Sequence, residues 1–180
     1  MEKPILVVMV GLPGSGKTTV ANELVKNYGF KIFSSDDYRL KLLGDENNQD
    51  NNYYIFKRLK KDVRYNLKNG NNCIFDATNV TMGCRKRIFK GLNDIEFNAI
   101  AIVISTNIEE CFKRNNLRER FVPEDDIRKF ADKFKMPSEE EGFNMVLIDF
   151  NEKEKSMLEN FIKNGKVVSK QCVFNEDITI

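Results

Sequence analysis

Six apolar residues, Ile5 to Val10, run without a break into Gly11-Leu12-Pro13-Gly14-Ser15-Gly16-Lys17-Thr18. No other feature constrains the fold as much. An apolar strand that meets G-x-x-x-x-G-K-[ST] and then opens a helix is the local architecture of a phosphate-binding loop. Glycines let the backbone turn tightly and aim N–H groups at phosphate oxygens. The helix that follows adds the positive end of its dipole. On this reading Gly11, Pro13, Gly14, Ser15, Gly16, Lys17, Thr18 and Thr19 hold a nucleoside triphosphate. Lys17 reaches the β and γ oxygens and the Thr18 hydroxyl ligates magnesium, so ATP and Mg2+ are the expected donor and ion.

The rest of the chain alternates apolar runs of strand length with amphipathic stretches. Strands are expected at Ile5–Val10, Phe30–Ser34, Cys73–Phe75, Phe97–Ser105 and Met145–Phe150. Helices are expected at Lys17–Asn27, Tyr53–Asn69, Met82–Leu92, Ile108–Arg120 and Glu124–Lys135. Such alternation specifies an α/β fold: a P-loop NTPase of the nucleotide-kinase kind, with a parallel sheet, helices on both faces and a small helical lid. Ligands of such sheets sit beyond the carboxyl ends of the strands. Ser138-Glu139-Glu140-Glu141 reads as a capping box opening a further turn. A length of 180 residues fits one domain: a kinase domain over 1–150, and a C-terminal helix and tail over 151–180 packed on it. Within that tail, Val167–Ile180 reads as a closing strand or a partner-binding segment.

Composition excludes several chemistries. The chain has no histidine, which removes the commonest general base and every Ser-His or Cys-His mechanism. Its four cysteines, Cys73, Cys84, Cys111 and Cys172, show no C-x-x-C spacing, which argues against a zinc site or a disulfide framework. A net charge of +2 announces no global nucleic-acid binder, so any basic site is local. No apolar run is long enough to span a bilayer, and a reduced, cytoplasmic protein without a membrane partner is expected.

P-loops serve switches, motors and kinases. The N-K-x-D tetrapeptide of a GTP switch is absent, and a motor usually needs a longer chain. A small kinase remains, and a kinase needs a carboxylate to orient and deprotonate its acceptor hydroxyl. Asp36 and Asp37 end the second strand, and Arg39 lies three residues beyond Asp36, on the same face of a helix's first turn. Asp36 is the candidate base and Arg39 the candidate fork for a substrate phosphate. Asp37 suits a mere helix cap. The third strand ends Phe75-Asp76-Ala77-Thr78-Asn79. Asp76 is placed at the magnesium water shell, with Thr78 and Asn79 lining the acceptor side; a plain turn is the competing explanation. Arg114 and Arg118 stand at i and i+4, facing the triphosphate from one helix, where their charge suits a phosphoryl group in flight. Two helices are crowded with bases: Lys57, Arg58, Lys60, Lys61, Arg64 and Lys68, and then Arg85, Lys86, Arg87 and Lys90. Either can attract a polynucleotide by counterion release, though a solvated helix face is the ordinary reason for such a run.

These motifs together resemble a known family. GLPGSGKTT, SSDDYR, FDATN and KRNNLR, with EGF before the last strand, are similar to the kinase domain of bacterial and phage polynucleotide kinases. The resemblance runs from about residue 4 to about residue 150. It implies Lys17 and Thr18 on ATP and magnesium, Asp36 as general base, Arg39 on the phosphate 3′ to the acceptor nucleotide, and Arg114 and Arg118 as lid arginines. In the bacterial family this domain is fused to phosphatase and ligase modules, so separate phosphatase or ligase partners are an expectation here. The expected activity is therefore transfer of the γ-phosphoryl of ATP to 5′-hydroxyl ends of DNA or RNA. The alternatives are a small-molecule kinase acting on a metabolite or nucleoside, a tRNA-directed kinase, and a regulatory nucleotide-binding module with slow ATPase.

Overall fold

A computed structural model of the protein describes residues 3–46, 48, 50–118 and 120–164. Five strands, β1 (Ile5–Val10), β2 (Lys31–Ser34), β3 (Cys73–Asp76), β4 (Asn98–Val103) and β5 (Met145–Ile148), form one sheet in the order β2-β3-β1-β4-β5. Every pairing is parallel. Around it lie α1 (Lys17–Tyr28), α2 (Ser35–Leu43), α3 (Asn52–Lys68), α4 (Met82–Phe89), α5 (Ile108–Asn116), α6 (Glu124–Asp132) and α7 (Glu152–Asn164). The expected segment Val167–Ile180 lies outside the described residues.

All six residues of β1 are buried, as a central strand covered on both faces requires. Because side chains alternate along a strand, Leu6, Val8 and Val10 join a core with Leu59, Val63 and Leu67 of α3 and Ile88 of α4. Ile5, Val7 and Met9 point the other way, into a core with Ala21 and Leu24 of α1 and Leu158 and Phe161 of α7. Helix α7 is further tied to α1: Tyr28 donates to Glu159 at 2.9 Å, and Lys155 meets Glu23 at 2.8 Å. A third, smaller cluster of Leu12, Val80, Cys111, Phe112 and Ile127 seats α5 and α6 beside the phosphate loop as the lid. No helix among the described residues is long and apolar enough to cross a membrane.

The expected helix Ile108–Arg120 stops at Asn116. Asn115 is the cause: its side chain donates to the Val122 carbonyl at 2.8 Å and accepts from the Val122 amide at 3.1 Å. That reciprocal pair folds the chain back, so Arg114 and Arg118 do not share a helix face. The capping box holds: the Ser138 amide donates to Glu141 at 3.3 Å at the start of the tight turn Glu139–Glu141.

The expected basic stripe on α4 is also incomplete. Arg85 is fully buried and makes a two-pronged bond to Glu141, Nε at 2.8 Å and Nη2 at 2.6 Å, with Nη1 on the Asn79 carbonyl at 3.0 Å. It joins α4 to the segment before β5 and cannot meet a polyanion.

Candidate active site

The phosphate loop fills the turn between β1 and α1 and packs directly on the lid. Gly14 has φ +80°, and a Cβ there would lie 2.4 Å from the Cys111 carbonyl oxygen of α5, so no other residue fits. The Thr106 hydroxyl donates to the Ser15 carbonyl at 2.8 Å, fixing the loop to the segment after β4. Helix α1 has no side-chain cap and no acidic residue in its first turn, which leaves its amides and dipole facing the loop.

Lys17 is buried and donates to the Leu12 carbonyl at 2.6 Å. Burial lowers its pKa to about 8, against an opposing pull from the Asp76 carboxylate. Asp76 is raised by its own burial, with Lys17 and the Thr18 hydroxyl working against the rise. Thr18 Oγ1 donates to Asp76 Oδ2 at 2.9 Å. A hydroxyl and a buried carboxylate joined at the mouth of the loop fit a magnesium ion, which takes oxygen donors, few from protein and the rest from water and phosphate.

Strand register sets the acceptor side. Ser34 pairs with Asp76, so β2 and β3 end level and present α2 opposite the loop. Ser34 caps α2 by accepting from the Asp36 and Asp37 amides. Asp36 then projects into a cleft of about 570 Å3 whose lining includes Lys17, Thr18, Asp36, Arg39, Asp76 and Arg118. Arg39 is 5% exposed. Its Nη1 donates to Asp36 at 2.8 Å and its Nη2 to Asn52 of α3 at 2.8 Å, while its guanidinium lies over the Phe56 ring. The spacing of Asp36 and Arg39 does put both on one face.

Two expected placements change. Asn79, expected to line the acceptor side, is buried with φ +48°, and its amide donates to the Met9 carbonyl at 2.8 Å. It braces the turn after β3 against β1 and does not face the cleft. Thr78 does line the cleft, and its carbonyl accepts from the Gly11 amide at 3.0 Å. Arg114 and Arg118 approach the loop by separate routes. Arg114 is held by Glu110 at 2.8 Å and reaches the Ser15 carbonyl at 3.5 Å, whereas Arg118 lies past the end of α5 and lines the cleft, where its charge depresses the Lys17 pKa.

Sequence reading missed Arg120. Its guanidinium bonds the second carboxylate oxygen of Asp36, so one arginine sits on each oxygen. The Nε of Arg39 and the Nε of Arg120 are both buried without a partner. Two unsatisfied donors beside a cleft suit an incoming anion, because a buried orphan donor is costly. Nothing in periodicity marks Arg120; only the fold-back imposed by Asn115 brings it to Asp36.

A family model described as AAA domain matches residues 6–137. The chain is 27% identical over 151 residues to the bifunctional polynucleotide phosphatase/kinase of Schizosaccharomyces pombe, covering 81% of this chain and 33% of that protein. It is 25% identical over 182 residues to the L-seryl-tRNA(Sec) kinase of Methanococcus maripaludis, covering 91% of this chain and 69% of that one. Among solved structures, a chain of the Pnkp1/Rnl/Hen1 RNA repair complex superposes with a TM-score of 0.66 at 26% identity, over 74% of this chain and 44% of its own. The chain thus spans a third to under a half of the length of the polynucleotide-processing proteins it matches.

Proposed function

Because the chain belongs to the AAA domain family and has the fold of P-loop kinases, we propose that it is a kinase that transfers the γ-phosphoryl of ATP to the 5′-hydroxyl of a polynucleotide. The observation that carries this reading is the Asp36–Arg39 pair, which faces Thr18 and Asp76 across one cleft. A carboxylate there suits a hydroxyl acceptor, and a buried guanidinium three residues on suits an acceptor that also carries a phosphate.

In this mechanism the phosphate loop and Lys17 hold the triphosphate with its γ-phosphorus toward Asp36. Thr18 and Asp76 would hold magnesium, which when bound would offset negative charge on the triphosphate. Arg39 grips the phosphate 3′ to the accepting nucleotide and so orients the 5′-oxygen. Asp36 accepts the hydroxyl proton as the 5′-oxygen bonds to γ-phosphorus. The bond to the bridging oxygen breaks, and its electrons leave with ADP. Arg114 and Arg118 offset the charge that builds on the transferring group. Residues 1–150 are assigned as the kinase unit, with α7 packed on one face of its sheet.

A second reading rests on the fuller coverage of the L-seryl-tRNA(Sec) kinase: the acceptor hydroxyl would then belong to an aminoacyl group on tRNA. Parallel incubations with γ-labelled ATP and either 5′-hydroxyl oligonucleotides or seryl-tRNA separate the two. Label at the 5′ end supports the polynucleotide reading; label only on seryl-tRNA replaces it with the second.

A further inference from the structure

We propose that the outer face of α3 is a single-strand track that carries the polynucleotide acceptor away from the cleft. This rests on the polynucleotide reading above and extends it from the end group to the strand behind it.

Helix α3 buries Ile55, Leu59, Val63 and Leu67 and turns the opposite face to solvent. That face carries aromatic rings: Tyr53 is 80% exposed, Tyr65 68% and Tyr54 47%. Exposed tyrosines gain nothing from folding, and three of the five tyrosines in the chain lie here. Between them stand lysines. At about 100° per residue, Tyr53, Lys57, Lys61 and Tyr65 climb one gently drifting stripe. Lys57 Nζ sits 5.9 Å from the Tyr53 ring centroid.

The charge on this face is of one sign where it matters. Arg58 is paired with Asp62, and Arg64 and Lys68 with Asp94. Among the described residues Lys57 and Lys61, both exposed, have no carboxylate partner, so their charge is open to an anion. Rings interleaved with free cations are the composition of surfaces that stack bases and follow a phosphate backbone without reading sequence.

Position decides the occupant. Arg39, assigned to the 3′-side phosphate, donates to Asn52, the first residue of α3. Tyr53 follows Asn52 about 100° round the helix, so a strand leaving the cleft turns onto the outer face at this end of α3, where the helix offers a path of about 25 Å. Helix α4 offers no such path, because Arg85 is buried against Glu141.

The test compares a nucleoside 3′-monophosphate with 5′-hydroxyl oligothymidylates, from dinucleotide to dodecanucleotide, under γ-labelled ATP. KM should fall with length up to about four to eight nucleotides and then level. The Lys57→Glu/Lys61→Glu double variant should raise the dodecanucleotide KM about tenfold and leave the 3′-monophosphate unchanged. Its slope of log affinity against log salt should shrink by about 1.4, from two lost backbone contacts. The chain has no tryptophan, so tyrosine emission reports the face directly. Dodecathymidylate should quench it, and Tyr53→Ser/Tyr65→Ser should abolish most of the quenching. Equal KM for dinucleotide and dodecanucleotide, with no quenching, would overturn the track and leave the kinase reading intact. Failure to phosphorylate both the 3′-monophosphate and every oligonucleotide would instead remove the kinase reading, and the track with it.

Discussion

Nucleotide affinity should fall about tenfold between pH 7 and pH 9, because of Lys17 alone. Burial holds the Lys17 pKa at about 8 in the free protein, below its ordinary 10.5. Phosphate oxygens beside Nζ favour the charged form and return the bound pKa toward or above the ordinary value. Free Lys17 is then about 90% protonated at pH 7 and about 10% at pH 9, which costs binding about 1.4 kcal/mol. Near pH 8, ATP should take up roughly half a proton on binding. Calorimetry in two buffers of different ionisation enthalpy measures that uptake directly. The free protein should behave in the opposite sense. Its unfolded chain binds more protons than the folded one between about pH 8 and 10.5, so stability gains from Lys17 as pH rises through that window. Cys73, pushed up by burial from 9 to about 12, works against this gain above pH 9, so the clean interval is pH 8 to 9. Asp76→Asn removes the carboxylate that holds the Lys17 pKa up against burial and should move the affinity loss to lower pH. A flat ATP Kd from pH 7 to 9, with no proton uptake at pH 8, would show that Lys17 does not govern nucleotide affinity over this range.

Asp36→Asn keeps the shape but accepts no proton, so kcat should fall by roughly 10²–10⁴ with ADP binding little changed in titration calorimetry. Arg118→Ala should lower kcat more than it raises KM for ATP; a pure KM effect in steady-state kinetics would reduce Arg118 to ground-state binding. Arg85→Met leaves Glu141 buried and unpaired and should cost about 3–5 kcal/mol, seen as a melting temperature lower by about 10 °C. Adding Glu141→Leu should recover most of that loss, since the unpaired carboxylate is then gone.

Much of the fold is written in alternation. All five strands follow from apolar runs of strand length, the P-loop from the first of them meeting glycine, and the parallel pairing from the helices between them. The first turn of α2 is only partly legible: Asp36 and Arg39 obey the i,i+3 rule, but the cap is Ser34, and Asp37, expected there, lies inside the helix with its amide on the Ser34 hydroxyl. What escaped depends on contacts between distant residues. Arg85 reads as one more surface base until Glu141, fifty-six positions away, takes it into the core. Asn79 reads as a site residue because strand-end polar groups usually are, yet its amide serves the Met9 carbonyl. Arg120 reached Asp36 only because Asn115 and Val122 close a turn that helix periodicity cannot anticipate.

Binding of the phosphate on the 3′ side of the accepting nucleotide by Arg39 has a direct kinetic signature. Phosphorylation of a nucleoside 3′-monophosphate is measured against the matching nucleoside, with unmutated protein and with Arg39→Ala. With Nη1 on Asp36 and Nη2 on Asn52, the free Nε of Arg39 offers one charge-assisted contact; such a bond contributes about 1.5–3 kcal/mol, so the 3′-monophosphate should be preferred about 10- to 100-fold in kcat/KM. Arg39→Ala should bring the two acceptors together, and Arg39→Lys should restore only part of the gap, since lysine lacks the planar fork. Equal use of both acceptors by the unmutated protein would contradict the polynucleotide account and point to an uncharged small-molecule acceptor.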